Sequence, residues 1–264
     1  MNQIKRFESL DEFLTLAKPV AFHPRDQSEW FNCETTAASV KRARLGDESI
    51  VAEAEKLIDS LDDISEGLQL ETWSPAQAGA YPIVAEYLAG SPTCMRHKQP
   101  SGDYSPVSVY VCTTSSAIVS KKQFLNRGTA ILALILKLQK VRPVQLYITC
   151  ELDAGDRTQD AIQIIPIDSQ PLSIAQAAYL LCSTGFSRHL TYGYAKTFQD
   201  SKLKWVNHFK VDKNVYRQNI ASYLELGPND LHIEPIFVQD LLLDKPLEWV
   251  NEQLKRYNLL ADES

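Results

Sequence analysis

A chain of 264 residues with 44% hydrophobic and 23% charged residues is long enough for one large α/β domain, or for one domain with a smaller addition. Its net charge of −6 argues against wholesale binding to nucleic acid, which needs a cationic face to neutralise phosphates. Five cysteines, odd in number and never at C-x-x-C spacing, fit free thiols in a reducing cytoplasm rather than a zinc site. No uncharged apolar run approaches the roughly 20 residues that cross a bilayer, and MNQIKRFESLDEFL lacks the apolar core of a secretory signal.

The first 45 residues carry weak signals. Leu10, Phe13, Leu14 and Ala17 have helical spacing, and Pro19 ends that pattern. Ser28 is placed to cap a short helix carrying Trp30 and Phe31. Asp47 is placed to cap a clearer helix, DESIVAEAEKLIDSLDDI, with Ile50, Val51, Ala54, Leu57, Ile58 and Leu61 on one face. The acids Asp59, Asp62, Asp63 and Glu66 lack calcium-loop spacing and read as a solvated helix end. Leu70 to Trp73 reads as a short strand. Pro82 suits the first turn of a helix YPIVAEYLAG, with Gly90 as its stop. The stretch HKQPSGDYSP (97–106) reads as a polar loop and the seam between two regions. The expected division is a mainly helical N-terminal region, 1–100, packed on an α/β core, 101–264.

That core is organised around VSVYVCTTSSAIVSKKQFLNRGTAILALILKLQKVRPVQLYITCEL. Val107 to Cys112 is a near-continuous apolar run, suited to a strand buried on both faces. A hydroxyl-rich turn follows, then a helix over Lys121–Lys140, whose Gly128 predicts close approach to the sheet. Pro143 forbids continuation, and Val144–Cys150 is the next strand, reached by a right-handed connection. AIQIIPI is a third strand. Ser173 caps a helix that Gly185 closes, HIEPIFV is a late strand, and PLEWVNEQLKRYN a last amphipathic helix.

This order is similar to a von Willebrand factor A-like domain, which implies a doubly wound, mostly parallel α/β sheet from about residue 105 onward. Domains of that family often hold a divalent ion on a D-x-S-x-S turn after the first core strand. Thr114 and Ser116 match its hydroxyl ligands, but Cys112 stands where the aspartate belongs. A hard ion prefers carboxylate oxygen, so no metal or cofactor is expected there. The runs AGAYPIVAEYLAGSPTCM, LNRGTAILALILKLQK, VQLYIT and PLSIAQAAYLLCSTGFSRHLTYGYA resemble a family of uncharacterised tailed-phage and prophage proteins. That resemblance implies a virus-encoded protein acting in the bacterial host cytoplasm. It supplies no activity and no catalytic residues.

The familiar chemistries find little support. There is no Walker loop, no dinucleotide-binding glycine motif, no H-E-x-x-H and no nucleophile elbow. The five histidines are dispersed, and Arg188-His189 reads as a loop anchor. A ligand is therefore sought at the carboxyl edge of the sheet, from Thr113, Thr114, Ser115 and Ser116 with Arg127 and Asp153, the last two also placed to form an ion pair. Cys112, beside a helix N-terminus, is placed for a lowered thiol pKa. The most basic stretch interleaves Lys196, Lys202, Lys204, Lys210, Lys213 and Arg217 with rings such as Tyr192 and Trp205, the pattern of a single-stranded nucleic-acid surface. These features point first to a non-enzymatic interaction or adaptor protein, bound to a host or phage protein. The alternative is a nucleic-acid-binding accessory factor in phage transcription or replication. No membrane partner is expected.

Overall fold

The structure, a computed structural model, describes residues 3–17, 35–52, 55–56, 71–78, 81–100, 106–115, 119–139, 143–153, 160–168, 171–195, 220–227, 230–235, 245, 248–249 and 252. In chain order these form β1 (Gln3–Arg6), α1 (Leu10–Ala17), α2 (Thr36–Leu45), β2 (Glu71–Ala76), β3 (Tyr81–Pro82), α3 (Val84–Leu88), β4 (Met95–Pro100) and β5 (Val107–Cys112). Then come α4 (Lys121–Gln139), β6 (Val144–Asp153), β7 (Asp160–Ile167), α5 (Ile174–Cys182), a π-helix (Gly185–Thr191), α6 (Tyr192–Ala195) and β8 (Leu231–Ile233).

Five strands form one mixed sheet in the order β1-β7-β6-β5-β8. β5 pairs in parallel with β6 and β8, and β1 in parallel with β7. Strand alternation divides the side chains between two faces. Val107, Val109, Val111, Leu146, Ile148, Ile165 and Ile167 join the main core with α4 and α5. Tyr110, Ile162 and Ile164 pack on the other face against Ile220 and Leu224 of the helical turn 220–224. The protein is thus α/β, a mostly parallel mixed sheet flanked by helices.

The core helices α4 and α5 start where the sequence supplies caps. Ser120 and Gln123 form a reciprocal capping box at α4: the Ser120 N–H donates to Gln123 Oε1, and the Gln123 N–H donates to Ser120 Oγ. The Ser173 hydroxyl accepts from the Gln176 N–H at α5, as its residue type predicts. The strand β5 and the helix α1 fall where their patterns place them. Asp47 accepts from the Ser49 N–H at the start of the helix over 48–52. The Ser28 cap, most of that helix with its acidic end, and most of the last amphipathic helix lie outside the described residues.

Within this mostly parallel sheet β7 runs antiparallel to β6, with Asp153 opposite Asp160. Several expectations need correction. Gly128 does not face the sheet: a Cβ there would meet Leu181 O at 2.5 Å and Cys182 Sγ at 2.6 Å, so its bareness admits α5. Gly185 does not end the helical run; it opens the π-helix, whose residues are all buried. Residues 95–100, read partly as loop, form the central strand of a three-stranded antiparallel sheet, β2-β4-β3. Its ladder supplies the hydrogen bonds that polar composition alone does not reveal. Pro82 lies in the edge strand β3, where a missing N–H is tolerated, and α3 begins at Val84. β1, in the stretch hardest to read, adds a strand to the main sheet.

Candidate functional site

Because β5, β6 and β8 are parallel, their carboxyl ends share one edge. β5 lies between the other two, so the chain leaves it toward β6 on one side and returns beside it as β8 on the other. Ligands of open α/β sheets bind at such a switch of direction.

Thr113 is buried, and its N–H donates to the Thr149 carbonyl at 2.8 Å. Its hydroxyl donates to the same oxygen and sits 3.5 Å from the Thr191 hydroxyl. Thr114 Oγ1 donates to the Glu151 carbonyl at 3.1 Å and accepts from the Glu151 N–H at 2.9 Å. Both threonines therefore extend the β5–β6 ladder beyond Cys112. Ser115 Oγ is buried and meets no hydrogen-bond partner among the described residues. Ser116 lies outside them.

Arg127 is 4% exposed and projects from α4 to the same edge. Its Nη2 donates to the Cys112 carbonyl at 3.0 Å and to the Glu234 carbonyl, tying the ends of β5 and β8 together. Strand carbonyls concentrate negative potential at this edge, which suits a buried guanidinium. Asp153 is the last residue of β6, and its side chain lies outside the described residues.

On the face of Tyr110 the structure adds a pair that spacing did not disclose. His232 Nε2 lies 2.9 Å from Glu151 Oε1, with side chains 7% and 3% exposed. The Thr149 hydroxyl donates to the same carboxylate oxygen at 2.9 Å. The visible signal was a glutamate closing an apolar strand, with Thr149 two residues earlier on the same face. Its histidine, 81 residues away, had no local signature.

The π-helix covers the opposite face of this edge. Ser187 Oγ donates to the Thr113 carbonyl at 2.6 Å, and Gln163 Nε2 donates to the Thr191 carbonyl. Arg188 Nη2 donates to the Val119 carbonyl, and burial lowers its pKa to about 10. The His189 ring lies between the hydroxyls of Thr36 and Ser39 on α2. Arg188 and His189 thus sit inside a helix rather than on a loop.

The thiols differ from the expectation for Cys112. Burial pushes its pKa well above the ordinary value, and the neighbouring Glu151 carboxylate adds to the rise. Burial raises Cys150 to about 11. The helix N-terminus does not lower Cys112, because desolvation of a fully buried thiolate outweighs it. Both are held as neutral thiols near pH 7.

Among the described residues no group of three or more His, Cys, Asp or Glu could hold a metal ion. No helix among them is long and apolar enough to cross a membrane. Lys196, Lys202, Lys204, Trp205, Lys210, Lys213 and Arg217 all lie outside the described residues.

Fold and edge together define an α/β protein with a helix-flanked mixed sheet and an internally hydrogen-bonded carboxyl edge. The family model described as a domain of unknown function (DUF7192) matches residues 2–214, and the chain belongs to that family. No curated protein and no solved structure matches it.

Proposed function

We propose that this chain is a non-enzymatic interaction module, built on an A-domain-like core. The observation that carries this reading is the apolar face of α3. Val84, Tyr87 and Leu88 are 64%, 66% and 78% exposed at i, i+3, i+4 spacing, so one side of a short helix offers three large apolar groups. The carboxyl edge supports it from the other direction. The Thr113 and Thr114 hydroxyls and the Arg127 guanidinium bond main-chain carbonyls, the Glu151 carboxylate meets Thr149 and His232, and the thiols of Cys112 and Cys150 are held neutral. A phage origin and a place in the bacterial host cytoplasm rest on the sequence resemblance. The A-domain likeness rests on a hydroxyl turn following a central strand with parallel neighbours on both sides.

The test compares the wild-type chain with the double variant Tyr87→Glu/Leu88→Glu in capture from phage-infected cells, followed by titration with the purified partner. The expected result is one protein bound by the wild type and lost by the variant, with an unchanged thermal melt. Equal binding by both would overturn the role of α3. Retention of single-stranded DNA or RNA at low salt, without a protein partner, would instead favour the accessory-factor reading through residues 192–217.

A further inference from the structure

β8 has only three residues, Leu231–Ile233, and ends the sheet among the described residues. Its pairing with β5 covers Val109, Tyr110 and Val111. Leu231 and Ile233 point into the main core, while His232 points to the other face. So short a strand gains little from its ladder alone. It is fastened at three further points. At its start, Asp230 Oδ1 accepts from the Ser108 N–H at 3.0 Å. At its end, Arg127 holds the Glu234 carbonyl. At its centre, His232 reaches Glu151 on β6.

The central fastening is unusual in its span. β6 and β8 flank β5 and so lie roughly 9–10 Å apart, two strand spacings. The two side chains therefore vault over β5, and the bridge joins strands that share no ladder. It is buried, so water competes little with it, and the Thr149 hydroxyl holds the carboxylate in place.

We infer that the Glu151–His232 bridge is a latch on β8, and that the strand opens as a unit when the latch is broken while β5, β6 and β7 stay folded. The core strands are longer, and β6 and β7 pair over eight residues each. Segments with few ladder bonds open at lower free energy than a sheet centre. Opening uncovers the main-chain groups of Val109–Val111 that now pair with β8.

Native-state hydrogen exchange on the full chain tests this. In the wild type, the amides of Leu231–Ile233 are expected to exchange faster than those of Val109 and Ile148, with a shallower urea dependence. In His232→Gln, their protection is expected to fall about tenfold or more, because the opened state has already lost the bridge. Glu151→Gln, which keeps an acceptor, is expected to fall less. Equal protection and equal urea dependence of β8 and β6 in the wild type would overturn the latch, and that comparison needs no variant to fold. Protection of β8 that His232→Gln leaves unchanged would overturn it as well.

Discussion

Gly128 lies against Cys182: a Cβ built on this glycine would stand 2.6 Å from the cysteine sulfur and 2.5 Å from the Leu181 carbonyl oxygen. Helix α4 therefore touches α5 main chain to main chain at this point. Gly128→Ala gains up to about 1 kcal/mol in helix propensity but meets main-chain atoms and forces two helices apart, at about 2–3 kcal/mol. A net loss of about 1–2 kcal/mol is expected, read as a lower urea midpoint with an unchanged slope. An alanine variant as stable as the wild type would refute the close contact.

Gly46 is the stricter position. It ends α2 with φ +86° and ψ −178°, a conformation for which glycine is almost required. Its would-be Cβ meets the Ala175 main chain at 2.5 Å, and Gln176 Nε2 caps the Ala43 and Arg44 carbonyls beside it. Strain and clash together make Gly46→Ala cost about 3 kcal/mol or more. Thermal unfolding should show it as the larger of the two glycine losses.

Breaking the pair of His232 and Glu151 from one side leaves a buried carboxylate short of a donor. His232→Leu is expected to destabilise by about 3 kcal/mol. Adding Glu151→Leu to it should cost less than the sum of the two single changes, because the stranded charge is then gone. A double-mutant cycle in urea measures this coupling, and strict additivity would contradict it.

The thiols predict an alkaline limb in stability. Cys150 has its folded pKa raised to about 11, so the folded chain keeps a proton that the unfolded chain releases near the ordinary thiol value. Its contribution is full below about pH 8 and is lost as pH rises from about 9 toward 11. Cys150→Ala should flatten that limb. Burial should also shield Cys112, Cys150 and Cys182 from iodoacetamide in the native state, leaving the half-buried Cys94 more reactive than these three. Peptide mapping after labelling decides it.

Signals confined to neighbouring residues match the structure at several elements. Leu10–Ala17, Val107–Cys112 and the Ser173 cap carry their signals within a turn or a short apolar run, where local geometry governs. The edge itself was legible too, since a hydroxyl turn between an apolar strand and a long helix places Thr113 and Thr114 there. What those hydroxyls bond was not legible. Thr114 meets Glu151 and Thr113 meets Thr191, partners 37 and 78 residues distant.

An α/β chain follows from the sequence alone, because short apolar β-branched runs alternate along it with stretches of period 3.6, and each must bury an apolar face. Packing in three dimensions sets β7 antiparallel to β6, gives Gly128 to a helix rather than the sheet, and makes Gly185 open a buried π-helix. Packing likewise closes His232 on Glu151 across an intervening strand. Each of these depends on which surfaces meet, and that choice is made by burial and by satisfying polar groups from distant segments, neither of which leaves a local trace.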